Sequence, residues 1–435
     1  MKNLELIHLT NMEANSLVPG LRFSEFDLNE PKRDYIRKSF KDVFVFSTGK
    51  NIKQNEASKE FKTPCVRYGE LYHMYDEVIY DTINRTNLNT SELHFSEGNE
   101  ILLPSAGEDP LDIGSASALT KKDVAIGRTI NILRPKENNI YNQKYASYYI
   151  NEKLKKKISR LAKGVSISNV YNSDLKTLYI NLPSLTEQNK IASFLTSVDK
   201  KINLLTKKKA LLESYKKGIM QKIFSQEIRF KDEDGKDFPD WEEKKLGEIG
   251  KFKTSSVDKL IKEDEKIVSL VNYMNVYNHQ NITNEITKDL MRVSANEKQL
   301  ETSNLKRGDI LFTPSSETPS DIGHSIVVFE DLNNTLYSYH LMRFRPIINL
   351  DILYSHYFCN IPSVLRQITR FATGSTRFTI SVDSFSKIII QLPSLEEQNK
   401  IAEFLSSIDK KIELVDFQLE RNKEFKKGLL QQMFV

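Results

Sequence analysis

Two clusters of basic, hydroxyl and glycine residues lie at corresponding places in the two halves of the chain. Arginine can clamp a phosphate or read guanine with two hydrogen bonds, and serine and threonine can contact either group. Glycine lets a backbone approach a ligand closely. We therefore predict a DNA-binding surface in each half, containing Arg160, Lys163, Gly164 and Ser166 in the first and Arg366, Arg370, Gly374, Ser375, Thr376 and Arg377 in the second.

Further candidates are single side chains at earlier positions in each half. For any one of them, a solvated surface residue is the plainer interpretation, whereas the two glycine clusters gain weight because they recur at equivalent positions. The additional candidates for DNA binding are Arg67, Tyr68, Arg128 and Thr129 in the first half and Arg343 and Arg345 in the second.

No catalytic constellation accompanies these residues. The phosphate-binding pattern G-x-x-x-x-G-K-[ST] does not occur, and the Thr-Gly-Lys at residues 48–50 is a common turn. The sequence contains no Pro-Pro dipeptide, which excludes the Asn-Pro-Pro-aromatic loop of amino-methyltransferases. An acidic run at residues 239–244 resembles a metal-nuclease signature but falls within one linker, and the seven histidines lack the i, i+4 spacing of a helical metal site. We therefore predict no catalytic residue, no metal site and no cofactor.

A segment that occurs twice must position the two clusters. LPSLTEQNKIASFLTSVDKKINLL begins at Leu182 and returns as LPSLEEQNKIAEFLSSIDKKIELV at Leu392, a shift of 210 residues that holds as far as Phe434. A shift of this size in a chain of 435 residues indicates two copies of one unit.

Each copy begins with the signals of a helix start. Ser184 and Ser394 can accept hydrogen bonds from free backbone N–H groups, and Glu187 and Glu397 complete a predicted capping box. Apolar residues then recur at steps of three and four, which predicts helices about 60 Å long that need a partner to cover the apolar stripe. The residues predicted to pair the helices or to dock a partner are Ile191, Leu195, Val198, Ile202 and Leu205 in the first copy and Ile401, Leu405, Ile408, Ile412 and Val415 in the second.

The two helices are predicted to pair with each other. Residues 186–224 carry a net charge of +6 and residues 396–435 a net charge of −1, so mixed pairing is favoured over self-pairing. The second half begins where the first helix ends and must deliver the second helix nearby, which favours an antiparallel pair. The alternative is that each helix is buried separately in an ordinary domain.

The remainder of each half mixes short strands, turns and one helix before the glycine cluster. Strands are predicted at residues 43–46, 77–80, 100–103 and 130–133 and again at 268–271, 309–313, 325–329 and 341–345, with helices at 141–161 and 352–371. The predicted fold class is α+β. Two similar α/β domains occupy residues 1–181 and 226–391, and two spacer helices occupy residues 182–225 and 392–435.

Composition limits the class of protein. Hydrophobic residues make up 39% of the chain and charged residues 28%, which is typical of a folded domain, and the net charge of +5 permits nucleic-acid binding without demonstrating it. The two cysteines are predicted to be buried apolar residues. Residues 1–15 contain Glu5 and His8 where a signal peptide would need an apolar core, and no apolar run has the length of a membrane span, so we predict a cytoplasmic protein.

With the repeated helix motif, the G-S-T-R sequence at residues 374–377 and FPDWEEKKLGEI from Phe238, nearly the whole chain resembles the specificity subunit of a type I restriction-modification system. The resemblance implies two target-recognition domains that each read one half of a split site in double-stranded DNA. It implies that the helices set the gap between the half-sites and that two methyltransferase (modification) subunits dock around them. Adenine methylation and ATP-dependent cleavage would belong to those subunits and to restriction subunits, so this chain would not itself be an enzyme.

Two departures and two alternatives accompany this resemblance. The first half lacks an obvious FPDW and has K-G-V-S at residues 163–166 where the second half has G-S-T-R, so its DNA contacts are less directly transferred.

A helix of about 60 Å at about 3.4 Å per base pair limits the half-site spacing to roughly 17 base pairs, or about 10 if the domains lean inward. The alternatives are a coiled-coil scaffold that joins proteins and a nuclease that acts alone.

Overall fold

The computed structural model describes residues 18–27 and 35–435. By internal packing the chain divides into a first unit, made of the described residues up to Thr206 together with Phe417–Val435, and a second unit, Lys207–Asp416. The segment at residues 1–15, for which we predicted no signal peptide, lies outside the described residues. No helix in the described part has the length and hydropathy needed to cross a bilayer.

The described part of the first unit contains two five-stranded sheets. One runs in the order Phe44–Thr48, Ile130–Pro135, Glu100–Pro104, Ser117–Leu119, Val78–Ile79, and the other in the order Ala57–Ser58, Asn84–Thr86, Thr63–Val66, Lys122–Ile126, Phe95–Glu97. The four predicted strands all lie in the first of these sheets. The second sheet was not predicted, because its strands are short and one contains Pro64, which argues against a strand when only the sequence is known. Two-stranded ladders join Ile36–Ser39 to Tyr179–Leu182 and Ala106–Gly107 to Ser168–Asn169.

The second unit repeats this arrangement with fewer strands. Its described residues form a four-stranded sheet in the order Gly250–Thr254, Met342–Pro346, Ile310–Phe312, Ser325–Val327 and a three-stranded sheet in the order Met291–Ala295, Lys266–Val271, Thr335–Tyr337. Ladders join Glu242–Lys245 to Ile389–Leu392 and Ser315–Ser316 to Phe378–Thr379. The predicted α+β class with two similar units is confirmed.

The helix before each glycine cluster is less regular than predicted. The first begins at Gln143, because the Asn142 side-chain oxygen accepts the backbone N–H of Tyr145 at 3.0 Å. It continues through a π-helical segment, Ile150–Leu154, to Lys155–Leu161. In the second unit the prediction of one helix is wrong: Ile352–Phe358 ends and Pro362–Phe371 begins anew, because proline has no N–H for the preceding turn and favours the first helical position.

Short helices complete the two units. In the first unit they are Ser24–Asp27, Phe40–Val43, Tyr68–His73, Pro110–Ile113 and Asn172–Leu175, with 3₁₀ turns at Gln54–Glu56 and Thr90–Glu92. In the second they are Leu246–Ile249, Tyr273–Tyr277, Glu297–Thr302 and Val382–Ser386, with a 3₁₀ turn at Ile286–Lys288. Both cysteines are buried, as predicted, and burial raises the pKa of the Cys65 thiol to about 12.

The two repeated segments form long helices, Leu185–Phe224 and Leu395–Met433. In the first unit the core joins Ile191 and Leu195, near the start of the first long helix, to Met433 at the end of the second. In the second unit the core joins Ile401 to Ile223. Within each unit, therefore, the start of one long helix packs antiparallel against the end of the other.

The apolar stripes lie in these same cores. Ile191, Leu195, Val198, Ile401, Leu405, Ile408 and Val415 are buried, whereas Ile202, Leu205 and Ile412 are half-buried. Most of these side chains pack against their own globular unit as well as against the other helix. Their predicted role in docking a partner stays a prediction.

A buried glutamate fixes the first long helix to its unit. The Ser184 hydroxyl accepts the N–H of Glu187 at 3.3 Å, as expected of a cap. The predicted capping box is wrong, because the Glu187 carboxylate points to the lead-in segment instead. It accepts two hydrogen bonds from the Arg22 guanidinium, at 2.8 and 2.7 Å, and one from the Tyr35 hydroxyl at 3.2 Å.

The second long helix is fixed in the same way. The Ser394 hydroxyl accepts the N–H of Glu397, and the Glu397 carboxylate accepts hydrogen bonds from Arg229, at 3.2 and 2.8 Å, and from the Trp241 indole at 2.8 Å. Tyr35 therefore occupies in the first unit the place of Trp241 in the second. The first half has no obvious counterpart of FPDW in its sequence, and Tyr35 supplies part of that contact in the structure.

The glutamine that follows each glutamate joins the long helix to the helix before the glycine cluster. Gln188 Oε1 accepts the backbone N–H of Asn142 at 2.9 Å, and Gln398 Oε1 accepts that of Asp351 at 3.0 Å. Asn142 and Asp351 each cap the helix that follows them. The buried E-Q pair thus has hydrogen-bond partners in three separate segments, which is a physical reason for the near identity of the two copies.

Candidate nucleic-acid interface

Three loops of the first unit meet at one edge of its sheets. The N–H of Gly127 binds the carbonyl of Val66 at 2.9 Å, which brings Arg67 and Arg128 together. The N–H of Arg128 binds the carbonyl of Asn51, also at 2.9 Å, and the Thr129 carbonyl accepts the N–H of Ser105. The loop that carries Arg67 and the loop that carries Arg128 and Thr129 therefore lie together, although they are far apart in sequence.

The hairpin of the glycine cluster adjoins the same edge. Lys163 and Asn169 exchange backbone hydrogen bonds of 2.9 and 2.8 Å, and the N–H of Val170 binds the Ser105 carbonyl at 3.0 Å. Gly164 has a φ of +134°, and a Cβ there would stand 2.0 Å from the carbonyl oxygen of Ile167. Only glycine fits this turn. Val165, Ser166 and Ile167 at the tip of the hairpin are exposed.

The second unit builds the same frame with other side chains. The N–H of Ser338 binds the carbonyl of Val271 at 2.9 Å, and that of Tyr339 binds the carbonyl of Val257 at 3.2 Å, in parallel with the bonds of Gly127 and Arg128. Tyr339 and His340 thus stand where the first unit has Arg128 and Thr129. Tyr339 is exposed, and the pKa of His340 is lowered by burial and by the charges of Lys259 and Arg377, so its ring is neutral at pH 7.

The second glycine hairpin is equally constrained. Gly374 has a φ of +142°, and its Cβ would lie 2.1 Å from the carbonyl oxygen of Arg377. Ser375, Thr376 and Arg377 are exposed at its tip, and an Arg377 nitrogen lies 3.4 Å from the Ser315 hydroxyl on the adjoining strand. A cation and two hydroxyls are therefore presented together.

A short helix with two tyrosines four residues apart lies in each frame. The rings of Tyr68 and Tyr72 are 6.3 Å apart, and those of Tyr273 and Tyr277 are stacked at 5.8 Å. Burial raises the pKa of Tyr72 and Tyr273, and the hydrogen bond to Asp321 raises that of Tyr277, so all three hydroxyls stay protonated at neutral pH. Sequence reasoning named only Tyr68. The Tyr-x-x-x-Tyr spacing, repeated in both halves, was the signal that could have found the others.

The predicted candidates fall into three groups: exposed basic side chains, side chains at the loop edge, and two arginines that bind other parts of the protein. Arg128, Arg160, Arg366 and Arg370 are exposed, and Lys163 is exposed with an ion pair to Asp174 at 2.8 Å. Arg67 and Tyr68 lie at the loop edge.

The prediction that Arg343 and Arg345 contact DNA is corrected, because both side chains bind other parts of the protein. Arg343 is 7% exposed and donates to the Asn304 carbonyl at 2.6 Å, while Arg345 forms two hydrogen bonds with Asp309, at 2.6 and 2.7 Å. Both guanidinium groups bind the segment at residues 304–309 to the strand Met342–Pro346.

Taken together, each edge presents hydrogen-bond donors, aromatic faces and cations on a fixed frame. These groups suit contact with phosphates and with base edges. Within residues 18–27 and 35–435, no group of three histidine, cysteine, aspartate or glutamate side chains is placed to hold a metal ion. The arrangement can bind a polyanion and discriminate among its polar groups.

Comparison with protein families gives one match that repeats. The model of the type I restriction modification DNA specificity domain matches residues 33–214 and again residues 239–421. Together these cover more than half of the chain.

Two relatives from Methanocaldococcus jannaschii are similar to this chain. One is a putative type I restriction enzyme MjaX specificity subunit, 25% identical, with 94% of each chain covered. The other is the type I restriction enzyme MjaVIII specificity subunit, 26% identical over 76% of this chain and 77% of that one.

Solved structures show the same fold. The crystal structure of a type I restriction-modification S subunit from M. genitalium superposes with a TM-score of 0.60 at 17% identity, covering 96% of this chain and 99% of that one. A structure described as the basis of complex assembly and conformational transition of the type I R-M system gives a TM-score of 0.54 at 14% identity, covering 92% and 97%.

Proposed function

This chain belongs to the type I restriction-modification DNA specificity domain family and is a specificity subunit, and we propose that each of its two units reads one half of a bipartite site in double-stranded DNA. The observation that carries the proposal is the repeated three-loop frame. The two units hold equivalent loops by equivalent backbone hydrogen bonds but present different side chains, Arg128 and Thr129 in one and Tyr339 and His340 in the other.

The predicted DNA contacts follow this frame. In the first unit we propose Arg67, Tyr68, Arg128, Thr129 and the Gly164 hairpin. In the second we propose Tyr273, Tyr339, His340 and the Gly374 hairpin with Ser375, Thr376 and Arg377. The exposed arginines on the preceding helices suit phosphate contacts, which orient a protein on a duplex without reading its sequence. These positioning residues are Arg160 in the first unit and Arg366 and Arg370 in the second.

The long helices have two proposed roles. Because each helix is fixed to a globular unit by a buried glutamate and glutamine, its length sets the gap between the half-sites. Its outer surface docks two methyltransferase subunits and, through them, restriction subunits. We propose the domain bounds 1–181, 182–225, 226–391 and 392–435 for these parts.

A base-resolution map of modified adenines tests the proposal. Cells that express the chain with a cognate modification subunit should show one split motif with a fixed gap, and cells without the chain should lack it. Exchanging residues 41–181 for those of another family member should then change one half-site and leave the gap and the other half-site intact. A change in both half-sites would contradict independent reading.

The scaffold alternative predicts a different outcome. If the coiled coil only joined proteins, its complexes would survive nuclease treatment and no modified motif would depend on the chain. That pair of results would remove the proposed function.

A further inference from the structure

The side chain of Arg67 is held in one orientation by a buried carboxylate. Glu70 is 1% exposed, and its Oε1 accepts hydrogen bonds from Arg67 Nε at 2.8 Å and from Asn84 Nδ2 at 2.9 Å. Its Oε2 accepts the backbone N–H of Arg67 at 3.3 Å. One carboxylate therefore fixes both the backbone and the guanidinium of Arg67.

Among the described residues, no group accepts a hydrogen bond from the outer end of this guanidinium. Across residues 18–27 and 35–435, neither terminal nitrogen of Arg67 has an acceptor within hydrogen-bonding distance, and the side chain is 20% exposed. The fork thus reaches solvent beside the exposed ring of Tyr68 and next to the Arg128 loop. Because the orientation is already fixed, binding does not have to order a long flexible side chain.

The second unit shows that the loop does not need this ion pair in order to fold. Asn272 and Asn275 occupy the equivalent positions, and the Asn275 side chain accepts the N–H of Asn272 at 2.8 Å, as Glu70 accepts that of Arg67. The Asn272 side-chain oxygen accepts the N–H of Met274, and the Asn275 amide donates to Gln280. The frame is the same, but the charge pair is present only in the first unit.

Burying a carboxylate costs free energy unless it is paired. The second unit keeps the loop with the neutral Asn275, so the charge of Glu70 is not needed for the loop and serves Arg67. We propose that Arg67 reads a guanine in the half-site bound by the first unit, with Glu70 as the residue that positions it. This inference rests on the proposed function. The two terminal nitrogens match the O6 and N7 acceptors of guanine in the major groove. The second unit has no equivalent guanine reader at this loop.

The test uses the full chain co-expressed with its modification subunit. Genome-wide modification maps are compared for the wild type, Arg67→Gln, Glu70→Gln and the double variant Arg67→Asn with Glu70→Asn, which copies the pair found in the second unit. Arg85→Ala serves as a charge control, since Arg85 is an exposed arginine of the same unit outside the proposed interface. Thermal unfolding confirms that each variant is folded.

The expected result is relaxation at a single guanine of one half-site. In Arg67→Gln and in the double variant, preference for that guanine should fall about 10- to 100-fold, the range expected for a lost bidentate contact. Glu70→Gln should relax the same position by less, because the arginine remains but is no longer held. The gap, the other half-site and the Arg85→Ala map should not change.

Binding of purified complex to synthetic duplexes gives a second measurement. Substituting 7-deazaguanine at the identified position removes the N7 acceptor, so it should weaken binding by the wild type and have little effect on Arg67→Gln. If instead the variants weaken modification uniformly at all sites with the motif unchanged, Arg67 contacts phosphate and the inference is overturned. If no motif depends on the wild-type chain, the proposed function itself fails, which is a distinct result.

Discussion

Lys426 near the end of the second long helix provides a sharp test of how the helices are held. Its ammonium lies 2.9 and 3.0 Å from the two oxygens of Glu77 and 2.8 Å from Asp199 of the first long helix. Asp199 also accepts the hydroxyl of Tyr148. All three members of the ionic cluster are less than one-fifth exposed. We expect Lys426→Met to destabilise the first unit, because it leaves two carboxylates close together and partly buried.

The magnitude follows from this burial. Removing one partner of a fully buried ion pair costs roughly 3–5 kcal/mol, and the residual solvent access lowers the expected loss to about 2–4 kcal/mol. The equivalent Lys216 of the second unit is paired with one carboxylate, that of Asp409, so Lys216→Met should cost less, about 1–2 kcal/mol. Lys423→Ala is the matched control, since Lys423 makes one exposed pair with Glu420 and should cost about 0–0.5 kcal/mol.

The pH dependence gives an independent signature. Burial raises the pKa of Glu77 and the Lys426 charge offsets part of that rise, so in Lys426→Met the Glu77 pKa should rise further. A carboxyl whose pKa is raised on folding favours the folded state as it takes up a proton. The deficit of the variant should therefore shrink as the pH falls from 7 to 5.

In the wild type, the stability contributed by Lys426 should be lost at high pH. Burial lowers the pKa of Lys426, but Glu77 and Asp199 outweigh it and the net shift is upward from 10.5. Its stabilising contribution is therefore present below pH 10.5 and is lost as the pH rises through the folded pKa.

The assay is urea unfolding followed by circular dichroism, with hydrogen exchange to place the loss in one unit. The only tryptophan, Trp241, lies in the second unit and reports Lys216→Met by fluorescence. If Lys426→Met were no more destabilising than Lys423→Ala, or if its deficit did not depend on pH, the reasoning would be refuted.

Three further predictions concern the hairpins and the long helices. Gly164→Ala and Gly374→Ala should each weaken DNA binding by the complex and relax the sequence preference of their own half-site only, because a Cβ would collide with a carbonyl oxygen at 2.0 or 2.1 Å. Gly218 lies inside the first long helix with nothing within 4 Å of its Cβ, so Gly218→Ala is the control. It should raise the free energy of unfolding in urea by about 0.5–1 kcal/mol. Glu397→Gln should lower the free energy of unfolding by about 2–4 kcal/mol and shift the fluorescence of Trp241, since it removes a fully buried carboxylate that accepts hydrogen bonds from Arg229 and the indole. An unchanged emission spectrum would count against the Trp241 contact. Inserting four residues in the first long helix adds about 6 Å and should lengthen the gap by one to two base pairs in the modification map without altering either half-site, whereas an unchanged gap would remove the spacer role.

The sequence alone predicted those features whose signals are local or repeated. The two helix starts follow from Ser184 and Ser394, whose hydroxyls accept a backbone N–H only three residues away. Gly164 and Gly374 were singled out as positions where the backbone can approach a ligand closely, and both adopt a positive φ, which favours glycine. Four strands in each unit were found because their apolar residues are consecutive or alternate. The resemblance of nearly the whole chain to a known family rests on the repeated helix motif together with the G-S-T-R and FPDW sequences.

Tertiary structure decided which polar groups are used, and in what way. Glu187 meets its partner Arg22 across 165 residues of chain, so no local pattern indicates that the predicted capping box is replaced by an ion pair. Arg343 and Arg128 look alike as sequence, yet one is enclosed with Asn304 and the other is exposed, because burial depends on which face of a strand or loop the fold covers. The two tyrosine helices lie at the loop edge because the strand before each one pairs with a distant strand, Thr63–Val66 with Lys122–Ile126 and Lys266–Val271 with Thr335–Tyr337. The chain itself specifies where its helices and turns begin, whereas contacts between distant segments decide which charges remain available to a ligand.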